Sequence, residues 1–280
     1  MRAGSEQTMA PLDGYRRMLR TGDWIRFYPL FPLVGALCAA GLSPRLLPVF
    51  VIFVLVTAYG FAVNNLADAA IDRRHAGKMA AGTNPCADGT LGRREAWLFC
   101  ALLAALPLAL ALFMTPAGWV FTLASLAALT AYSVRPLRLK DRFGVDILCH
   151  GLMFGGLPFY AGYTLAGGAV PPLLSLPTAG ALIATLVCCE ALVVHEVLDY
   201  EQDAGTTPTT VVGIGRMGGV YAVAFLVALS VAALEAAAAL FPLPLPVHAA
   251  TFAFLVLYPV WGLRRLLPQV RSPGSRGSWP

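Results

Sequence analysis

Charge is scarce in this sequence. Only 12% of its 280 residues are charged, whereas a soluble domain carries about 25%. Hydrophobic residues make up 58% of the chain, and a water-soluble fold of this length has too little interior to bury them all. The composition therefore excludes an ordinary soluble domain and predicts an integral membrane protein.

Three further patterns are absent. The net charge of +5 is not gathered into a Lys/Arg tract with interleaved aromatic residues, so no nucleic-acid partner is expected. The six cysteines include no Cys-x-x-Cys spacing, so a zinc or redox site is not expected either. Residues 1–23 are polar and contain no short apolar region with a cleavage site, which argues against a cleaved signal peptide.

Long apolar stretches are abundant instead. Eight of them approach the roughly 20 residues that cross a bilayer as a helix. The predicted spans are 24–43, 46–64, 95–114, 117–133, 146–167, 173–194, 217–241 and 246–263. We expect a cytoplasmic segment at 1–23, a transmembrane domain at 24–267 and a disordered tail, rich in Ser, Gly, Pro and Arg, at 268–280.

The distribution of basic residues predicts the orientation. Nearly every Lys and Arg falls in the tails or in the loops 65–94, 134–145 and 195–216, and Arg45 is the sole one on the other side. Because basic loops stay in the cytoplasm, both termini and the long loops are predicted to be cytoplasmic. We expect the membrane to be a bacterial plasma membrane.

The two longest loops, 65–94 and 195–216, follow the second and the sixth span. This placement predicts an internal duplication into two four-helix halves. The halves have parallel topology, because four crossings return the chain to its starting side. Function is expected in these long polar loops.

An acidic cluster opens the first long loop. Asn64, Asp68 and Asp72 are spaced i, i+4, i+8, so on a helix their side chains lie along one face. They stand where the second span leaves the membrane. A solvated helix end is one explanation of such a cluster, and a binding site is the other.

A second cluster repeats the pattern at the same point of the second half. His195, Asp199 and Asp203 have the same i, i+4, i+8 spacing, with Glu196 beside them as a further candidate of open role. A solvated helix end gives no reason for this repetition. Like charges one turn apart repel, and a divalent cation removes that conflict. Carboxylates open to ligand suit Mg²⁺, which shares its coordination shell with phosphate oxygens, so we expect Mg²⁺ ions around one diphosphate.

Basic residues are the expected partners of that diphosphate. The loop after the fourth span carries four within eight positions, Arg135, Arg138, Lys140 and Arg142, and Lys78 lies six residues past Asp72. Arginine binds phosphate oxygens by bidentate contact and lysine as a point charge. The bias of basic residues towards the cytoplasmic side explains some of them, and we expect at least one to contact the diphosphate.

The motifs together resemble those of the UbiA superfamily of intramembrane prenyltransferases, from Trp24 to the last span. The first acidic cluster looks like the first motif of the family, and Asp199-x-x-x-Asp203 looks like the second. The segments that carry the rest of the resemblance are Tyr132-Ser-x-x-Pro-x-Arg-x-Lys140, Asn84-Pro85 with Gly89, and Gly205 to Gly213.

The resemblance implies an all-α bundle of transmembrane helices around a central cavity. In such a protein Asp-bound Mg²⁺ holds an isoprenyl diphosphate, of C10 to C20 or longer, which ionises to an allylic cation that an aromatic or other lipophilic acceptor attacks. Arg138 and Lys140 would contact the diphosphate, together with Lys78, and Tyr132 would lie near the cleaving bond. The implied metal ligands are Asp68, Asp72, Asp199 and Asp203, with Asn64 assisting.

Three features depart from the family pattern. The family usually has nine spans and we find eight, with no room for a ninth after residue 268. The arginine common before the first-loop proline is absent, since Thr83-Asn84-Pro85 stands there, so diphosphate binding would depend more on Lys78. His195 stands where Asn64 stands in the first half, and its role stays open between metal ligand and base.

Other functions fit the same residues. An intramembrane terpene cyclase would use the same metal site without an acceptor, and would release a cyclic product. A polyprenyl-phosphate phosphoribosyl transferase would use phosphoribosyl diphosphate instead of an allylic diphosphate. A transporter is less consistent with the sequence, because transporter sites lie near the midplane, whereas these acids cluster at one membrane face.

Overall fold

A computed structural model describes residues 9–205 and 207–264, and within these residues every regular element is a helix. The predicted disordered tail, 268–280, lies outside the described residues. In chain order the helices are α1 (Met9–Leu19), α2 (Thr21–Trp24), α3 (Leu30–Ala40), α4 (Leu46–Asp72), α5 (Ala76–Ala81), α6 (Pro85–Asp88), α7 (Arg93–Leu112), α8 (Pro116–Ser133), α9 (Val145–Gly151), α10 (Leu157–Leu165), α11 (Leu176–Leu198), α12 (Tyr200–Asp203), α13 (Thr210–Leu240) and α14 (Leu245–Leu263). A 3-10 turn occupies Leu139–Asp141, and a π-helical turn occupies Leu152–Gly156.

The helices agree with the sequence-based spans, so the prediction of an all-α fold is confirmed. Each of the eight predicted spans contains a helix, the fifth being α9 and α10 on either side of the π-helical turn. Among the described helices, α4, α7, α11, α13 and α14 are by themselves long and apolar enough to cross a membrane. The predicted ends were less accurate, because α4 continues through Asp72 and α13 begins at Thr210.

The chain forms two compact units. In the described part, the first comprises 9–139 with Leu152–Leu173, and the second comprises Lys140–Gly151 with 174–264. The chain changes unit three times, and one change falls inside the fifth predicted span, between Gly151 and Leu152, whereas the expected duplication would place a single boundary before that span. The reason is local packing, because α10 packs against α3 and α8 of the first unit while α9 packs against α11 of the second.

Close backbone approach between α3 and α10 organises the first unit. A Cβ atom added to Gly35 would lie 2.1 Å from the carbonyl oxygen of Phe159, and one added to Gly162 would lie 1.9 Å from that of Pro32. Small residues permit such contacts between membrane helices. Arg45 donates from Nη1 to the carbonyl oxygen of Ala166 at 2.6 Å, which satisfies a carbonyl at the C-terminal end of α10.

The second unit is built on the packing of α11 against α13. Its core is a cluster of buried valines, Val193, Val194, Val197, Val211 and Val223. Buried polar contacts also join the two helices, and in one of them the hydroxyl of Ser230 donates to Glu190 Oε1 at 2.6 Å. This contact gives the buried Glu190 carboxyl a partner inside the unit.

Candidate functional site

The first acidic cluster lies on the last turns of α4, and here the expectation of one continuous helical face is met. α4 runs without interruption to Asp72, so Asn64, Asp68 and Asp72 lie one turn apart on the same side. Asp68 is 8% exposed and Asp72 is 6% exposed. Buried carboxylates require compensating partners, and the first unit supplies them.

Lys78 and Asn84 both bind the carboxylate of Asp72. The ammonium of Lys78 lies 2.9 Å from Oδ1, and Asn84 donates from Nδ2 to Oδ2 at 2.9 Å. The side chain of Lys78 is 49% exposed, so it has room to move. Lys78 was predicted as a diphosphate ligand. In this structure it pairs with Asp72, which was predicted as a metal ligand.

Arg138 occupies the corresponding place beside Asp68. Its Nη2 lies 2.9 Å from Asp68 Oδ1, and only 11% of either side chain is exposed. The backbone of Arg138 has φ of 38°, in the left-handed region that disfavours residues with a Cβ atom. Such strain persists where the surroundings fix it, and it clusters at functional sites. Next to this pair, the hydroxyl of Ser133 donates to Asn64 Oδ1 at 3.2 Å.

Asn84 connects the first long loop to α4. Its Nδ2 donates to the carbonyl oxygen of Asn65 at 2.8 Å as well as to Asp72, and its Oδ1 accepts from the backbone amides of Cys86 and Ala87. Asn84 is therefore the N-cap of α6. The sequence showed Asn84-Pro85 as part of a family motif, but these hydrogen bonds depend on tertiary packing and were not predicted.

The second cluster has a different geometry. α11 ends at Leu198, so the chain bends at Asp199 and the expectation of one continuous helical face does not hold here. Nε2 of the exposed His195 lies 3.3 Å from Asp199 Oδ2. The amide of Asp203 donates to the carbonyl oxygen of Asp199 at 3.0 Å, within the short α12.

Two buried acids close to this cluster hold the N-terminus of α13. Asp146 accepts from the amide of Thr210 at 2.8 Å and from its hydroxyl, and Glu196 accepts from the amide of Val211 at 3.2 Å. These amides have no partner within the helix, so the carboxylates satisfy them and complement the helix dipole. Glu196 was a candidate of open role. Asp146 was not among the predicted site residues, although an acidic residue at the start of a predicted span is itself a sign of a specific role.

Two predicted site residues remain, Tyr132 and Lys140. Tyr132 is half-buried in the last turn of α8, in the first unit. Lys140 is half-buried in the 3-10 turn and belongs to the second unit, so it and Arg138 fall in different units.

The donor set at the end of α4 has the chemistry that Mg²⁺ prefers. Two carboxylates and the amide oxygen of Asn64 lie one turn apart, and all are hard oxygen ligands. In the described part of the chain, no three His, Cys, Asp or Glu side chains come together closely enough to hold a metal by themselves. Magnesium usually takes one or two protein carboxylates and completes its shell with water and phosphate, so the residues fit this ion.

The fold and the site define an all-helical membrane protein with cation-paired carboxylates where a spanning helix ends. The profile of the UbiA prenyltransferase family matches residues 29–187, more than half of the chain. The chain belongs to this family, and it is an integral membrane protein. A search of curated proteins found no match.

Solved structures show the same fold. A UbiA homolog from Archaeoglobus fulgidus bound to GPP and Mg²⁺ is 24% identical with a TM-score of 0.76, over 95% of this chain and 91% of that chain. A UbiA homolog from Aeropyrum pernix K1 is 21% identical with a TM-score of 0.70, over 88% and 89%. A structure of digeranylgeranylglyceryl phosphate synthase is 21% identical with a TM-score of 0.63, over 94% and 88%.

Proposed function

We propose that this protein transfers an isoprenyl group from an allylic diphosphate to an aromatic or other lipophilic acceptor in a Mg²⁺-dependent reaction. The observation that carries the proposal is the end of α4, where two carboxylates one turn apart are each paired with a cation at 2.9 Å. Family membership supports the reaction class, and the A. fulgidus homologs bound to GPP or DMAPP with Mg²⁺ support the substrate class.

The carboxylates are the proposed metal ligands. Mg²⁺ bound to them would neutralise the charge that builds on the departing diphosphate. Asp68 and Asp72 present hard oxygens in the first unit, with the amide oxygen of Asn64 beside them. In the second unit, Asp199 and Asp203 are the corresponding ligands.

The cations are the proposed diphosphate ligands. Lys78 and Arg138 neutralise Asp72 and Asp68 in the protein as described, and in the proposed complex they bind phosphate oxygens instead. The exposure of Lys78 supports this exchange, because a half-exposed lysine reorients at little cost. Lys140 is the third proposed diphosphate ligand, and Tyr132 is proposed to lie near the bond that breaks.

His195 and Glu196 are the further candidates of the second cluster. His195 lies against Asp199, so we assign it to the support of that carboxylate. Glu196 accepts a hydrogen bond from the N-terminus of α13, so we assign it to the positioning of that helix. The loops that carry the site are proposed to be cytoplasmic, in accordance with the distribution of basic residues.

Product analysis tests this function. The purified protein is incubated with Mg²⁺ and allylic diphosphates of C10 to C20, with and without phenolic acceptors, and pyrophosphate and organic-soluble products are measured. We expect a prenylated acceptor, and loss of the reaction when Mg²⁺ is chelated. A cyclic terpene formed without acceptor would instead identify a cyclase. Transfer from phosphoribosyl diphosphate to a polyprenyl phosphate, without any allylic diphosphate, would identify a phosphoribosyl transferase, and either result would overturn the proposal.

A further inference from the structure

The N-terminal helix α1 packs against α4 and α6 of the first unit. Asn65 donates from Nδ2 to the carbonyl oxygen of Met18 at 3.2 Å, so the last turn of α1 is tied to α4. Gly14 is buried against the loop, where an added Cβ atom would lie 3.3 Å from that of Leu91. The helix is thus fixed both to the element that carries the acids and to the loop that follows it.

Arg17 of this helix contacts three separate points of segment 78–90. Its Nε donates to the carbonyl oxygen of Gly82 at 2.8 Å, and its Nη1 donates to Thr90 Oγ1 at 3.2 Å. Its Nη2 forms an ion pair with Asp88. One guanidinium therefore ties the turn at Gly82 to Asp88 and Thr90, as the rigid donor fork of arginine allows.

The contact at Gly82 lies between the two residues that bind Asp72. Lys78 comes four residues before Gly82, and Asn84 comes two residues after it. Gly82 has φ of 59° and ends α5, so the chain reverses here and returns Asn84 towards α4. The carbonyl that Arg17 binds thus belongs to the turn that directs both side chains to one carboxylate.

The charge of Asp88 is stabilised as well. Partial burial raises the pKa of Asp88, but hydrogen bonds from Thr90 and Arg17 outweigh this effect and lower the pKa below its usual value. Asp88 therefore remains an anion at neutral pH, and its ion pair with Arg17 persists there.

We propose that Arg17 is a positioning residue of the metal site: it holds segment 78–90 against α4, so that Asn84 fixes the Asp72 carboxylate for Mg²⁺ and Lys78 stays within reach of the diphosphate. The inference rests on the proposed function for its metal. It assigns a role to a helix that lies before the first predicted span and carries none of the predicted ligands.

A thiol reports whether Arg17 holds the segment. Cys86 lies two residues after Asn84, is 7% exposed, and has its pKa raised to about 11, by burial and by the charge of Asp88. In the intact protein at neutral pH, we expect a water-soluble maleimide to modify Cys86 slowly. Arg17→Ala should raise this rate at least about fivefold, because the segment opens more often. Peptide mass spectrometry separates Cys86 from the other cysteines.

Arg16 provides the matched control. It is the exposed neighbour on the same helix, with the same charge, and it makes none of the three contacts of Arg17. Arg16→Ala should leave the labelling rate unchanged. Arg17→Lys should give an intermediate rate, because an ammonium replaces only part of the fork.

A second measurement tests the metal without relying on turnover. The melting temperature is followed as Mg²⁺ is added to each variant in the absence of substrate. Arg17→Ala should raise the Mg²⁺ concentration at the midpoint about tenfold, the usual effect of losing an outer-shell partner. A merely structural role would lower the starting melting temperature and leave the midpoint where it is.

Three results would overturn the inference: equal labelling in Arg17→Ala and Arg16→Ala, an unchanged Mg²⁺ midpoint in Arg17→Ala, or a wild-type melting temperature that does not respond to Mg²⁺. Failure of the proposed function is a separate observation, namely full turnover in Asp68→Ala. The labelling comparison gives its result whichever reaction the protein performs.

Discussion

Asp68 and Asp72 are the same residue type one turn apart, yet their surroundings differ. The arginine beside Asp68 is 11% exposed, whereas the lysine beside Asp72 is 49% exposed. A buried ion pair is costly to break because the remaining charge stays desolvated, whereas an exposed partner is replaced by water. The two acids therefore differ in how firmly the folded protein holds them.

The carboxylates carry the clearest prediction for activity. Asp68→Ala and Asp199→Ala should each lower turnover at least about 100-fold, because each removes a proposed source of charge stabilisation. Asp23→Ala is the control, since Asp23 is an exposed acid of the first unit whose partner is Arg20. Initial rates at saturating Mg²⁺ provide the measurement, and near-normal rates in the first two variants would disprove the metal assignment.

The cations carry a prediction for stability. Arg138→Ala should lower the free energy of unfolding by about 3 kcal/mol, because it leaves the Asp68 carboxylate buried without its partner. Lys78→Ala should cost less than about 1 kcal/mol, since water reaches Asp72 once the lysine is gone. Denaturant unfolding in detergent, with Arg135→Ala as the exposed control, measures both. Equal losses would show that burial does not set the difference.

The sequence predicted which residue types meet, but not their pairing. The spacing of Asp68 and Asp72 indicated a shared helical face, and that face is present. Lys78 and Arg138 were expected at phosphate, whereas in this structure they neutralise the acids. No sequence pattern predicted the role of Arg17. Gly82 and Thr90 lie more than 60 residues away from it in the chain, and only the packed fold brings them together.

At the scale of elements, the contact between α3 and α10 leaves no room for a Cβ atom at Gly35 or Gly162. Gly162→Ala should destabilise the protein by about 3 kcal/mol, because its new methyl group would overlap the backbone of Pro32. Gly22→Ala should have little effect, since an added Cβ atom there meets no atom within 4 Å. Melting temperatures in detergent compare the two variants, and equal values would contradict this account of the helix contact.

Helix existence was predictable and helix ends were not. Each of the eight stretches chosen by apolar length contains a helix, as expected for segments long enough to cross a bilayer. The ends depend on side-chain contacts that composition does not reveal. α13 begins seven residues before its predicted start, where Asp146 and Glu196 hold its first amides, and its helical geometry is interrupted at Gly215. The bend at Asp199 was not predicted either, because the i, i+4, i+8 spacing alone suggested a continuous helix.

At the scale of the whole molecule, orientation follows from the distribution of charge. In a cysteine-free background, we expect Leu42→Cys to react with an impermeant thiol reagent added to intact cells, and Leu137→Cys to react only after lysis. Both side chains are well exposed, at 92% and 50%, so access to solvent does not distinguish them. The opposite labelling pattern would reverse the predicted topology.

At the end of α4, the cations that neutralise the two acids are side chains of the protein itself. Where a metal alone neutralises a cluster of ligands, folding and loading become one event, and a chelator unfolds the protein. Here Lys78 and Arg138 already balance the two acids, so the folded state is complete before any ion arrives. If the proposed function holds, a chelator would stop turnover and remove only the stability that bound Mg²⁺ adds, and the protein would stay folded.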